Sequence, residues 1–292
     1  MSDDESILDG MDRPTPDVYA KQLANVTEIY SVLVDPRTTP ASASPAAREL
    51  HAASEQPGQS GPWGEEPIRE AYALAMMKYQ VALEYARAMA ALMTGAYTAI
   101  PAIVLARALV EVTSHAWWLL EPEIGHVKRV CRLQVLRHQS AVHGQRAAEA
   151  DGVPDDDYHT YTETVAQVAA ASEALALVAP RWPGSDRTHI CDSVKLPSAT
   201  TLVRDMFSRV DVPSVYNLFS GYSHGQLFAL WREFERVQLS EYAIRYQPTV
   251  NAENFKAAVA VASYALDPPA ARIAVLFGLG EGPVEEPGAD NG

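Results

Sequence analysis

A polar and aromatic segment about two thirds of the way along the chain carries residue types that could do chemistry. It begins at Tyr216 and ends in the dipeptide His224-Gly225. If the segment is helical, Tyr216, Ser220 and His224 recur every four residues and line one face. A phenol, a hydroxyl and an imidazole so placed could serve a site, or could form a hydrogen-bonded network that only fixes packing. A serine hydrolase is not predicted, because no Gly-x-Ser-x-Gly elbow precedes a helix and no strand framework is evident.

The apolar segment around Arg107 carries a second polar stripe. Arg107, Glu111 and His115 also recur every four residues. Charged side chains on so apolar a helix must reach water or pair internally. An internal ion pair that fixes helix packing is one interpretation, and a ligand-binding or catalytic role is the other. Together with Tyr216 and Ser220, these three residues form a predicted polar seam.

Five cationic residues and three histidines lie between residues 126 and 146, without one carboxylate. Within this stretch Arg132 precedes His138 by six residues. In RNA cleavage an imidazole can act as general base or acid on the 2′-hydroxyl, while an arginine stabilises the charge on the scissile phosphate. The alternative is a solvated basic face. Arg132, His138 and His224 are therefore the candidate catalytic residues.

The elements that must position these groups are helical, because apolar residues recur at helical spacing along most of the chain. The sequence predicts an all-α fold, an antiparallel helical bundle with additional C-terminal helices. It predicts one helical domain over residues 15–280, with a mobile connection at 37–64 and disordered tails at 1–14 and 281–292. The main predicted helices cover residues 16–34, 66–92, 97–120, 124–150, 157–178, 198–210 and 252–279, the last of these divided at Asp267-Pro268-Pro269. Residues 184–197 are expected to be a loop. Pro213 is expected to open the helix with Tyr216, and a brief extended piece is expected between Val237 and Tyr246.

Composition and charge narrow the functional classes. The chain has 292 residues and a formal net charge of -14, which argues against duplex DNA as a partner, since a DNA-binding surface needs clustered cations. The two cysteines, Cys131 and Cys191, stand in unrelated sequence contexts, so neither a disulfide nor a metal site is predicted. No secretory signal opens the chain, and a cytoplasmic location is expected.

The sequence also argues against a membrane-spanning protein and against several classes of cofactor-dependent enzyme. Residues 88–106 carry no charged residue and approach the length of a membrane span. Two buried helices joined by a break at Thr94-Gly95 explain this stretch better, so no membrane partner is predicted. No Gly-rich phosphate loop, His-Glu-x-x-His or Cys-x-x-Cys motif occurs, and no cofactor is predicted.

Two patterns together resemble a group of bacterial helical proteins related to the HEPN superfamily. They are the run Leu-Ala-Arg-Ala-Leu-Val-Glu at residues 105–111 and the Tyr-x-x-x-Ser-x-x-x-His pattern at residues 216–224. The resemblance covers about Glu66 to Phe234. It implies a helical bundle, frequent dimerisation, and roles in phage defence and toxin systems. In active members it also implies metal-independent RNase activity through an Arg and a His a few residues apart.

The chain departs from that pattern at one place. Asn217 and Leu218 occupy the positions before His224 where the superfamily carries an arginine. Only two pairs in this chain match the spacing between the superfamily's Arg and His: Arg132 with His138, and Arg137 with His143.

Two functions of different classes therefore stay open. The first is a non-enzymatic binding or assembly protein in which the polar seam is buried and sets the packing. The second is a HEPN-like ribonuclease or RNA-binding protein of a phage-defence or toxin system, for which RNA is the partner. A homodimer is expected for either function.

Overall fold

The helical periodicity of the sequence is realised along most of the chain in a computed structural model. The structure describes residues 16–35, 38–94, 99–150, 156–181, 189–208, 213–226, 234–240, 243–248 and 252–279. The predicted tails at 1–14 and 281–292 lie outside these residues. The fold is all-α, as predicted, with additional helices toward the C-terminus and only short strands.

The helices begin and end close to the predicted bounds. In chain order they are α1 (Pro16–Ser31, followed by a 3-10 turn at Val32–Val34), α2 (Pro45–Glu55), α3 (Glu66–Met93), α4 (Ile100–Leu119), α5 (His126–Ala150), α6 (Asp156–Ala174), α7 (Ala199–Met206), α8 (Pro213–Ser223) and α9 (Ala252–Phe277). Two antiparallel hairpins accompany them: β1 (Ile190–Cys191) with β2 (Val194–Lys195), and β3 (Phe234–Ser240) with β4 (Ala243–Pro248). The break between α3 and α4 confirms the two-helix interpretation of residues 88–106.

The chain divides into two compact units. The first combines Met1–Val32, Val81–Val110 and Arg209–Leu266. It contains α1, α8, the β3–β4 hairpin and parts of α3, α4 and α9. Its largest fully buried side chains are apolar: Leu23, Leu83, Met89, Met93, Ile103, Leu109, Phe219 and Phe255.

The second unit combines Leu33–Gln80, Glu111–Ser208 and Asp267–Gly292. Within it α5 and α6 form an antiparallel pair, in which Gln145 near the end of α5 donates to Thr162 near the start of α6 at 3.5 Å. The Trp63 indole N–H donates to the Leu175 carbonyl at 3.0 Å and its ring packs edge-on against His126. The prediction of a single domain over 15–280 stays a prediction.

The predicted mobile connection contains a packed helix. Ser44 caps α2, since its hydroxyl accepts a hydrogen bond from the Ala47 N–H at 3.2 Å. Ala46, Glu49, Leu50 and Ala53 are buried on one side of α2. The helix is therefore part of the second unit's core, while mobility elsewhere in residues 37–64 stays a prediction.

Two further predictions about the C-terminal half were wrong. Helix α9 is not divided at its prolines but runs through Pro268 and Pro269. Each proline removes one intrahelical hydrogen bond at a cost of about 3 kcal/mol, and burial of apolar residues on both sides offsets that cost, among them Leu266 and Ile273. Residues 190–195, predicted as loop, form the β1–β2 hairpin.

One helix among the described residues is long and apolar enough to cross a membrane by length and composition. It covers Glu253–Phe277, and half of its most apolar window is buried within the protein.

Candidate functional site

A cleft of about 490 Å³ between α5 and α6, within the second unit, is a feature suited to a ligand. We call it the α5–α6 cleft. Side chains with hydroxyl, amide or guanidinium groups make up most of its lining. The polar lining residues are Gln134, Arg137, Ser140, Thr160, Tyr161, Thr164 and Gln167, and the apolar ones are Ala141, Val168 and Ala171.

The local sequence explains why the two helices leave this space. At Gly144 of α5 a Cβ atom would clash with the Tyr161 ring of α6, so glycine lets the ring approach the α5 backbone closely. Toward the other end of the pair, Ala141 and Ala171 are too small to fill the gap between the helices. The two helices are in contact at Tyr161, and because the residues beyond it are small, an open space remains between the helices.

Gln134 is the most deeply buried polar residue of the cleft. It is 2% exposed, and its side-chain oxygen Oε1 has no hydrogen-bond partner among the described residues. A buried acceptor without a donor costs about 1–3 kcal/mol. If a ligand placed a hydrogen-bond donor in the cleft and the Gln134 amide rotated to accept from it, that energy would be recovered.

The cleft contains little that could catalyse a reaction. Its described lining includes no carboxylate, imidazole, thiol or amine, and the guanidinium of Arg137 pairs with Glu70 of α3 at 3.0 Å. General acid–base catalysis is most efficient when the pKa of the group lies near the working pH. The cleft is therefore chemically suited to binding.

The basic stretch of α5 is largely neutralised by carboxylates from other segments. Arg129 is fully buried against Glu49 of α2, with hydrogen bonds of 2.6 and 2.8 Å to its two oxygens. Arg137 pairs with Glu70, as described above. The predicted solvated basic face is thus wrong for Arg129, because its compensating acid is distant in sequence, while Arg137 stays partly exposed beside Glu70.

Arg132 and His138, predicted as a catalytic pair, have separate structural partners. Arg132 forms an ion pair with Glu121 at 2.5 Å and stacks on the Trp118 ring at 4.6 Å. His138 is buried, with Nδ1 2.9 Å from Nδ1 of His189. Burial lowers the pKa of His138. The six-residue interval places the two side chains in different surroundings along the helix.

The first unit brings together two other residues of the prediction. The Arg107 guanidinium on α4 donates to Nε2 of His224 at 3.3 Å. His224 lies just beyond the last residue of α8 and is exposed, while Tyr216 is buried and Ser220 is half-buried. The hypothesis that His224 belongs to a buried hydrogen-bonded network is therefore wrong. The helix ends before His224, and the chain turns at Gly225 with a φ of 63°.

Glu111 and His115, the other residues of the predicted seam, belong to the second unit. Both are half-buried. Burial, together with the nearby charge of Lys78, lowers the pKa of His115 to about 4. His115 is therefore neutral at physiological pH, and a charged role for it is excluded there.

Sequence reasoning missed one group of side chains altogether. Cys131, Cys191 and Asp192 lie together in the second unit, although the sequence places the cysteines in unrelated contexts. The signal was absent because the contact depends on how the β1–β2 hairpin packs against α5. The α5–α6 cleft was missed for a similar reason, since its lining consists of ordinary polar residues from two helices.

Comparison with models of protein families, with curated proteins and with solved structures finds no match for this chain. The resemblance to the HEPN superfamily stays a prediction. So do the RNA partner and the homodimer that accompany it.

Proposed function

We propose that this chain is a non-enzymatic binding protein that takes up a small polar molecule in the α5–α6 cleft. The observation that carries the proposal is a cleft of about 490 Å³ with a mostly hydrogen-bonding lining. Small-molecule sites commonly enclose about 300–1,000 Å³. The volume therefore suits a molecule of the size of a sugar or a nucleoside.

The lining indicates the chemical class of the ligand. Ser140 and Thr160 carry hydroxyls and Gln167 carries an amide. The Thr164 hydroxyl, which donates to the Thr160 carbonyl at 2.8 Å, can accept from a ligand. The one full charge in the described lining, on Arg137, is already compensated by Glu70. A ligand with several hydroxyl or amide groups and no strong net charge fits this environment best.

Filling the cleft tests the proposal. Ala171 lines the cleft and is exposed, so Ala171→Trp is expected to occupy the space and leave the fold intact. Against a defined panel of monosaccharides, polyols and nucleosides, binding measured by calorimetry should weaken by at least about tenfold, or 1.4 kcal/mol. Thr164→Val, which removes one hydroxyl at nearly constant volume, should weaken it less.

The matched control is Ala170→Trp, one residue earlier on α6. Ala170 is also exposed but does not line the cleft, and this variant should bind as the parent does. If no member of the panel binds the parent, or if both tryptophan variants bind equally well, the proposal is wrong.

A second candidate function, metal-independent RNA cleavage, is favoured by one observation. Arg107 and His224 are 117 residues apart in sequence, yet their side chains lie 3.3 Å apart at an exposed position. In RNA cleavage, Nε2 of His224 could take the proton of a 2′-hydroxyl once the Arg107 guanidinium turns from it toward the phosphate, whose charge the arginine would stabilise. These two residues would replace the sequence-predicted pair of Arg132 and His138.

This second candidate predicts a large effect of His224→Gln. The parent should cleave a structured RNA in the presence of EDTA, and the variant should lose roughly 100- to 10,000-fold of that rate, as general bases commonly contribute. Arg107→Gln should cause a comparable loss. His51→Gln is the control, because His51 is an exposed histidine on α2 whose described partner is Glu55. The absence of cleavage by the parent would rule out this function.

A further inference from the structure

Three side chains with metal-binding atoms meet where the β1–β2 hairpin packs against α5. The Sγ atoms of Cys131 and Cys191 and a carboxylate oxygen of Asp192 all lie within 4.8 Å of one another. Both cysteines are buried and are free thiols, while Asp192 is exposed. None of these residues lines the α5–α6 cleft.

The fold holds these atoms through contacts on several sides. The hairpin pairs Cys191 with Val194, so Asp192 stands in its tight turn, with a φ of 50°. The Val178 N–H donates to Oδ1 of Asp192 at 3.0 Å, and the Cys191 thiol donates to the Val178 carbonyl at 3.3 Å. The Val178–Asp192 hydrogen bond is the kind of secondary contact that orients a metal ligand, whereas the Cys191 thiol gives up its proton when it binds an ion.

The distances are close to those of a tetrahedral site. The Cys131 thiol sulfur lies 3.4 Å from Oδ2 of Asp192. Zinc–sulfur and zinc–oxygen bonds of about 2.3 and 2.0 Å imply ligand separations of roughly 3.5–3.8 Å at tetrahedral angles. Small side-chain rotations would therefore bring all three atoms to bonding distance of one ion.

The electrostatics of the cluster also favour a cation. The hydrogen bond with Cys191, burial, and the Asp192 charge all raise the pKa of the Cys131 thiol. A bound divalent ion offsets the negative charge and allows the thiols to ionise. Two soft sulfur ligands favour zinc over magnesium or calcium, which prefer oxygen.

A cavity provides access to the cluster. It measures about 350 Å³ and is lined by Cys131 and Asp192 together with His126, Lys128 and Ser193, among others. An ion held by three protein ligands would keep its fourth position toward this cavity, open to water or to a small ligand.

We propose that Cys131, Cys191 and Asp192 form a zinc-binding site with one open coordination position. The ion binds to two thiols and one carboxylate, forms two zinc–sulfur bonds and one zinc–oxygen bond, and releases two protons to solvent. No electron transfer is involved. The site is independent of the function proposed for the α5–α6 cleft.

Cobalt(II) is the probe that tests the site, because tetrahedral cobalt–thiolate bonds give an intense near-ultraviolet charge-transfer band. The full chain, reduced and kept free of oxygen, should bind one cobalt ion with this band, and zinc should displace it. Because two protons are released, affinity should fall on the order of 100-fold per unit of decreasing pH.

Variants separate a site from adventitious binding. Cys191→Ser should diminish the charge-transfer band, and Asp192→Asn, at an exposed position that leaves the fold intact, should keep the band but weaken binding by at least about tenfold. Asp205→Asn, at an exposed aspartate of α7 paired with Arg204, is the control and should change nothing. The proposal is overturned if the reduced parent gives no band, if Asp192→Asn binds as the parent does, or if the cysteines form a disulfide with zinc present.

Discussion

Replacing Arg129 with methionine is expected to lower the free energy of unfolding by about 3–5 kcal/mol, the usual cost of leaving one member of a buried ion pair alone. Urea unfolding followed by circular dichroism measures this as a lower midpoint with little change in slope. The effect is large because Arg129 is fully buried and its guanidinium has partners on several sides.

Those partners come from segments far apart in sequence. Arg129 donates to both oxygens of Glu49, to the Leu119 carbonyl, and to the Glu121 carbonyl at 3.0 Å. The Tyr72 hydroxyl donates to the same Glu49 carboxylate at 2.9 Å. Burial is the main reason that the pKa of Tyr72 is raised, so the phenol remains a donor at all ordinary pH values. One arginine thereby connects α2, α3, the end of α4 and α5.

Two further variants identify the cause of the loss. Removing both charges with Glu49→Leu and Arg129→Met should be less harmful than the sum of the single changes, because neither charge is then left buried and unpaired. Arg87→Met, which breaks the exposed pair with Glu84, should cost at most about 1 kcal/mol. An Arg129→Met protein within about 1 kcal/mol of the parent would show that the network contributes little.

This network marks the limit of what the sequence could predict. Helices follow from local rules, so their positions were predicted closely: the Ser198 hydroxyl accepts from the Thr201 N–H at 3.2 Å and begins α7, as its capping propensity indicates. The partner of Arg129 does not follow from local rules, because Glu49 lies 80 residues earlier. From the sequence alone, the helix that carries Glu49 is predicted to be part of a mobile connection.

In the candidate sites too, features within one helix could be predicted, and contacts between distant segments could not. Spacing on one helix predicted that Tyr216, Ser220 and His224 share a face, but not that Arg107 would reach His224 from another helix. The cysteine cluster and the α5–α6 cleft join segments whose proximity depends on tertiary packing. Sequence periodicity places side chains on faces, and only the packing of those faces decides which groups meet.

Acidification from pH 7 to about pH 5 is expected to destabilise the protein by roughly 2 kcal/mol for each of His115 and His189. The pKa of each is lowered to about 4 in the folded protein, in both cases mainly by burial. In the unfolded chain a histidine has its ordinary pKa of about 6.5. Between these values the unfolded chain binds more protons, so stability is full above about pH 6.5 and is lost as the pH falls toward 4.

The groups that face the two histidines oppose protonation. His189 lies against His138, His143 and Arg146, and a positive charge on any of them lowers the pKa of His189 further, as Lys78 does for His115. A proton on His189 would also disturb its short contact with His138, in which one Nδ1 must donate and the other accept. Protonation and unfolding are therefore coupled.

His189→Gln tests this coupling, since glutamine can keep a hydrogen bond to His138 but does not titrate. The loss of stability between pH 7 and about pH 5, measured by urea unfolding at each pH, should shrink by roughly 2 kcal/mol relative to the parent. His51→Gln, at an exposed histidine of α2, should leave the pH dependence unchanged. A His189→Gln protein with the parent's pH dependence would mean that His189 is protonated as easily in the folded protein as in the unfolded chain, and that its burial is not maintained in solution.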